Sequence, residues 1–212
     1  MEVLKGSGND PNDPSWTNGA KAKVSLAPAP IDSQPNHYIR EAWANKDYGT
    51  TKEADVTLGS EGKKFYIRLE WSSNVEKHAE FPDAAAVFFP ASESPSTPVT
   101  IGSRENPVRM WQWKNRLPVQ SKLPKVLDLI ATGPGVFHPA KTINGTAPSD
   151  SLQGNATYED GKWKVVISGD LDVVVGSKKM GIAIWNGANQ ERAGLGAVST
   201  EWIDIDLAGI GL

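Results

Sequence analysis

The sequence predicts an all-β protein, a two-sheet antiparallel β-sandwich of roughly ten strands with long loops and little helix. The clearest observation is that Phe65, Ile67 and Leu69 alternate with more polar residues, because a period of two indicates a strand with one buried face. A Ser-Glu-Gly turn precedes this run, and a Glu-Asp-Gly turn at 159–161 joins a second alternating pair. Both segments are typical of β-hairpins. The C-terminal runs, KKMGIAIWNG and AVSTEWIDIDL, complete the predicted sheets.

The remaining elements follow from local composition. Residues 1–20 are rich in Gly, Asn, Asp and Pro, which indicates a flexible N-terminal lead-in. We expect one sandwich domain over 21–208 and a short tail over 209–212. Alternation within HYIREAWANK, residues 37–46, predicts a strand.

The middle of the chain contains both clear and irregular parts. The apolar run 84–90 predicts a strand that ends at its proline. The segments 98–102 and 106–114 predict two more strands. SKLPKVLDLIATG is compatible with a short helix or with two strand pieces, and a long loop is expected from 133 to 153.

Composition excludes several classes of function. The net charge is −3, which disfavours nucleic-acid binding because no basic surface is available for phosphates. No apolar run approaches the roughly 20 residues that span a bilayer. The chain has no cysteine, which excludes disulfides, thiolate zinc sites, iron–sulfur clusters and covalently attached c-type haem. The 3 histidines are far apart, so no metal site is predicted.

The C-terminal segment carries a specific resemblance. AIWNGANQER, followed by Ala-Val-Ser and a tryptophan, resembles the closing motif of the haem b-binding γ subunits of molybdenum enzymes. That family includes the γ subunits of ethylbenzene and dimethylsulfide dehydrogenases, selenate and chlorate reductases, and nitrite oxidoreductase. FYIRLEWSS, FPDAAAVFFP and NPVRMWQWK are similar to three further family blocks, in the same order. The resemblance implies a β-sandwich with a haem pocket, associated with a molybdopterin catalytic subunit and an iron–sulfur subunit.

The resemblance also places the two axial ligands of the family haem. The family methionine falls at Ile101 and the family lysine at Gly196. Neither residue can coordinate iron, so we expect a haem-free homologue with no cofactor, no metal and no catalytic residue. Its expected role is to assemble, tether or polymerise a nitrite oxidoreductase-like molybdenum complex through protein–protein contacts, with a homo-oligomer possible. By resemblance, we expect an exported protein of a periplasm-like compartment, although MEVLKGSGNDPNDP lacks the apolar core of a signal peptide.

Two alternatives remain from the sequence. The chain could be a haem b electron-transfer γ subunit that uses other axial ligands, with Met110 and Lys179 as the candidates. It could also be a carbohydrate-binding module, because Trp111 and Trp113 share one strand face and a pair of exposed aromatic rings can stack on sugars.

Overall fold

The computed structural model describes residues 1–6, 8–75, 79–90, 101–116, 125–140 and 151–208. The strands are β1 (Val3–Lys5), β2 (Lys21–Pro28), β3 (Glu53–Glu61), β4 (Lys64–Ser72), β5 (Ala84–Pro90), β6 (Val108–Lys114), β7 (Val126–Ala131), β8 (Phe137–Pro139), β9 (Gln153–Glu159), β10 (Lys162–Asp170), β11 (Lys179–Trp185), β12 (Ala197–Ser199) and β13 (Ile203–Asp204). The α-helices are α1 (His37–Trp43) and α2 (Leu171–Ser177). Among the described residues, no helix has the length and apolarity that a membrane crossing requires.

The strands form two packed halves. Their order is β8-β7-β6-β5-β11-β12-β2-β3-β4-β10-β9, with β1 beside β3 and β13 beside β11. Neighbouring strands are antiparallel, except that β1 pairs with β3 in parallel. The short pairing of β12 with β2 connects the half that contains β5, β6 and β11 to the half that contains β3, β4 and β10. The predicted fold class is confirmed.

The main hydrophobic core lies between the two halves. Phe65, Ile67 and Leu69 of β4 are completely buried there, facing Trp111 of β6 and Ile182 of β11 in the same cluster. Alternation along each strand therefore sends one set of side chains into this core and the other set to the opposite face. The structure has more strands than expected because β1, β8, β12 and β13 contain only two or three residues, too few to show a period.

A second cluster covers the outer face of β5, β6 and β11. Ala86 of β5 and Ala183 of β11 lie beside each other there, with Phe88, Met110 and Trp185 in the same cluster. The small side chains leave this face thinly covered near one end of the strands. This end carries the cavity described below.

The strand predicted over 37–46 is wrong. The segment forms α1, because the Asn36 side chain accepts hydrogen bonds from the backbone N–H groups of Tyr38 (2.9 Å) and Ile39 (3.4 Å). An asparagine at this position satisfies donors that would otherwise lack a partner at the start of a helix. Trp43 is the buried residue of the helix.

Other segments differ from expectation in detail. The first 20 residues, predicted as a flexible lead-in, include β1 and a 3-10 helix over Pro14–Asn18. Trp16 anchors that helix, since its ring is buried and its Nε1 donates to the Asp10 carbonyl at 2.9 Å. Ile101 and Gly102 lie outside any strand, and the other residues of the strand predicted over 98–102 lie outside the described residues.

Truncation of the core should measure how much the sandwich depends on it. We expect Ile67→Ala to lower the free energy of unfolding by about 2–5 kcal/mol, because the side chain is fully buried and its removal leaves a cavity. Tyr38→Ala is the control, since that side chain is 77% exposed. Urea unfolding followed by tryptophan fluorescence checks both variants; equal midpoints would contradict the core assignment.

Candidate cofactor pocket

A cavity of about 500 Å³ lies between the outer face of β5 and β6 and the loop 186–196. Its volume is within the roughly 300–1,000 Å³ typical of small-molecule and cofactor sites. The cavity is lined by Gln34, Pro35, Asn36, Ile39, Phe81, Pro82, Ala84, Gln112, Lys114, Pro134, Gly135, Phe137, Trp185, Glu191, Arg192, Ala193, Gly194 and Leu195. Most of these residues are apolar or small, so the cavity favours a ligand with a large apolar body.

Three neighbouring strands provide the floor of the cavity. Ala84 of β5 pairs with Trp185 of β11 on one side and with Lys114 of β6 on the other. Adjacent strands lie about 4.8 Å apart, so the side chains of Trp185 and Lys114 lie on either side of the small Ala84 side chain. We call the space above Ala84 the alanine gap. In the next row, Ala86 pairs with Gln112. The alternation of small and large residues leaves space for a flat group.

The loop that forms the opposite wall is held by buried carboxylates. Asp83 is 5% exposed and accepts hydrogen bonds from the Gly187 backbone N–H (2.7 Å), the Trp163 indole (2.7 Å) and the Ser73 hydroxyl (3.2 Å). A carboxylate buried in this way must be fully hydrogen-bonded to offset its desolvation. Asp83 therefore ties the start of the loop to both halves of the sandwich.

Glu191 fixes the middle of the same loop. Its carboxylate accepts from the backbone N–H and the hydroxyl of Thr50, both at 3.0 Å, from the Asn186 backbone N–H at 2.9 Å and from the Asn189 amide at 3.1 Å. The loop then returns across the cavity, where the Trp185 indole donates to the Ala193 carbonyl at 2.9 Å. These contacts define the cavity wall before any ligand binds.

Two polar side chains enter the cavity without a partner. Gln112 is 4% exposed, and among the described residues its amide has no hydrogen bond. Lys114 is two residues further along the same strand face and likewise forms no ion pair with a described residue. Burial lowers the pKa of the Lys114 ammonium below its ordinary value, since desolvation disfavours the charged form.

A third polar group lies at the loop. The exposed guanidinium of Arg192 stacks over the Phe81 ring, with Cζ 4.2 Å from the ring centroid. Arginine remains charged at every physiological pH and binds carboxylates through two parallel hydrogen bonds. The arrangement suits a ligand with an apolar body and an anionic edge.

Comparison with known proteins relates the chain to subunits of redox complexes. It is 29% identical to the chlorate reductase γ subunit of Ideonella dechloratans, over 95% of this chain and 82% of that protein. It is 27% identical to the dimethylsulfide dehydrogenase γ subunit of Rhodovulum sulfidophilum, over 92% and 74%. It is also 26% identical, over 85% and 74%, to a Haloferax mediterranei protein provisionally named as a respiratory nitrate reductase haem subunit. No family model matches the chain.

Two of these relatives are named as γ subunits, and the third as a haem subunit. The family resemblance inferred from the C-terminal motif and the three earlier blocks is therefore confirmed. The motif of this γ-subunit homologue is the loop that closes the cavity, so the most specific part of the sequence and the candidate site coincide.

The prediction of a haem-free assembly subunit is wrong on this comparison. One of the three relatives is named as a haem subunit, and all three are subunits of reductases or dehydrogenases. They favour the alternative, an electron-transfer subunit that binds haem b.

The structure shows where the two family ligand positions lie. Ile101 is buried in the outer-face cluster and is not among the residues that line the cavity. Gly196 follows the lining residue Leu195, and a Cβ atom there would lie 2.7 Å from Nε1 of Trp185. An alkyl chain and a missing side chain provide no electron pair for iron at these positions.

The two alternative ligands lie elsewhere. Met110 is fully buried in the outer-face cluster, one strand repeat away from Gln112, and does not line the cavity. Lys179 lies at the far end of β11 from Trp185, and its ammonium pairs with Asp204 at 2.6 Å. Neither side chain therefore lies at the pocket.

The tryptophan pair offers no surface for sugars. Trp111 and Trp113 share a face as predicted, but that face points into the main core, where they are 0% and 2% exposed. The carbohydrate-binding alternative is wrong for this pair because period two alone cannot tell which face is buried. Among the described residues, no three His, Asp or Glu side chains converge as a metal site; His78 lies outside the described residues.

The cavity residues fit a haem group on three observations. The lining is mainly apolar, small Ala84 separates Trp185 from Lys114, and two polar side chains have no partner among the described residues. The sequence analysis did not identify Gln112 and Lys114 as site residues, although both lie in NPVRMWQWK. They are two and four residues after Met110 and therefore share its strand face. Following the alternation of the strand from Met110 to its end would have placed both polar side chains on that face.

Replacement of Asp83 tests whether it fixes the cavity wall. We expect Asp83→Asn to lower the free energy of unfolding by about 1–3 kcal/mol. One carboxylate oxygen accepts from the Gly187 N–H and the other from the Trp163 indole, so in either orientation the amide NH₂ of asparagine would face one of these donors. The rate of amide hydrogen exchange in the loop 186–196 should also increase in this variant. Urea unfolding and hydrogen-exchange mass spectrometry measure both effects. Asp47→Asn, at an exposed carboxylate, is the control, and identical behaviour of the two variants would refute the role.

Proposed function

We propose that this protein is a haem b-binding, electron-transfer γ subunit of a molybdenum oxidoreductase. The observation that carries the proposal is the mainly apolar cavity behind the C-terminal motif. Gln112 and Lys114 line this cavity and have no partner among the residues that the structure describes. The haem subunit named among the relatives supports the same cofactor. When bound, haem supplies reversible one-electron redox chemistry, whose potential depends on axial ligand, burial and hydrogen bonding.

The chain's own residues would bind and orient the group. Phe137, Trp185 and Leu195 provide apolar contacts that exclude water from the ring. Arg192 carries a fixed positive charge that can pair with a haem propionate, and its stacking on Phe81 limits its movement. The buried carboxylates hold the loop in place, so little ordering cost is left for binding.

The proposal extends to partners and compartment. We expect the subunit to associate with a molybdopterin catalytic subunit and an iron–sulfur subunit, because the named relatives are γ subunits of multi-subunit reductases and dehydrogenases. The resemblance of the C-terminal motif also implies an exported, periplasm-like location, which is part of the proposal.

Filling the alanine gap should block the cofactor. The purified protein, titrated with haem, should develop a Soret band and give the haem b spectrum in the pyridine haemochrome assay. We expect Ala84→Leu to weaken haem binding about tenfold or more, because added methylenes in a packed site cost about 1–3 kcal/mol.

Ala44→Leu, on an exposed residue after α1, is the matched control and should bind like the wild type. Urea unfolding of both variants separates loss of the pocket from loss of the fold. A wild-type protein that takes up no haem, from added haem or when expressed with its partner subunits, would overturn the proposed function.

A further inference from the structure

Among the described residues that line the cavity, one side chain is suited to bind iron. Haem proteins use His, Met, Cys or Tyr as axial ligands, and an unprotonated lysine also has a free electron pair on nitrogen. Of the described lining residues, Lys114 alone belongs to these types. The residues at the two aligned family ligand positions, Ile101 and Gly196, provide no donor.

The other polar side chains of the cavity are occupied or unsuitable. Glu191 accepts four hydrogen bonds from the protein, and the Gln34 amide donates to the Gly194 carbonyl at 2.5 Å. The Asn36 oxygen caps α1. Arg192 cannot lose its proton and so cannot donate electrons to a metal. The Gln112 amide has no hydrogen bond with the described part of the chain, but a carboxamide is a weak iron ligand compared with an amine.

We propose that Nζ of Lys114 is the protein ligand to the iron of a haem bound in this cavity, an inference that rests on the proposed function. The side chain rises from the end of β6 beside the alanine gap, on the face where the ring would lie. No described carboxylate pairs with it, so nothing in the described chain holds it as an ammonium.

The ligand is tested with two substitutions and a control. Lys114→Leu removes the nitrogen, while Lys114→Arg keeps the positive charge but cannot coordinate. We expect both variants to bind haem at least tenfold more weakly than the wild type and to shift the Soret maximum. Lys125→Leu removes an exposed lysine just before β7, whose carbonyl accepts a hydrogen bond from the Lys114 backbone N–H, and should change neither quantity.

Chemical protection provides a second readout that needs no electron-transfer assay. Reductive methylation with formaldehyde and cyanoborohydride, followed by peptide mass spectrometry, reports whether each lysine amine is accessible. We expect Lys114 to be methylated in the haem-free protein and protected after haem is added. Lys125 should be methylated equally in both states.

The outcomes separate the two claims. If the wild type binds haem and the Lys114 variants retain its affinity and Soret maximum, the ligand assignment is overturned while the proposed function stands. Equal methylation of Lys114 with and without bound haem also overturns the assignment. If the wild type binds no haem in either assay, the proposed function fails, and the ligand assignment fails with it. Urea unfolding confirms that each variant is folded before its spectrum is interpreted.

Discussion

The carboxylate of Asp83 is the interaction on which the rest of the site depends. One oxygen accepts from Gly187 at the start of the motif loop, and the other accepts from Trp163 and Ser73 in the opposite half. The loop approaches so closely that a Cβ at Gly187 would lie 2.1 Å from the Phe81 carbonyl oxygen. A buried carboxylate that accepts three hydrogen bonds tolerates little displacement. Asp83 therefore fixes the position of the cavity wall relative to both halves of the sandwich.

Strands β5 and β6 perform two tasks with one alternation. Their inner residues, such as Phe89 and Trp111, are large and stack edge to face at 4.8 Å in the core. Their outer residues near the cavity, Ala84 and Ala86, are small. Because successive side chains point to opposite faces, the strands can pack a dense core on one side and leave a cavity on the other.

The predictable parts of the molecule are those with local causes. The hairpin β3–β4 was evident because alternation and a turn occur within one short segment. Helix α1 was missed because its alternation also matches a strand, and the cap at Asn36 decides between the two. Lys114 could be assigned to a face but not to a cavity, since the opposite wall is formed by residues 186–196, more than seventy positions further along the chain.

Lys114, a partly buried lysine with no ion-pair partner among the described residues, is the most informative residue of the cavity. A partly buried amine that lacks a partner reduces stability, because it either loses hydration or must give up its proton. Replacing Lys114 by an aliphatic residue would remove that cost if packing were its purpose. Positions that break the rules of a stable core are commonly functional. A ligand that contacts both Lys114 and Gln112 and fills the space above Ala84 accounts for this combination, which a purely structural pocket would not require.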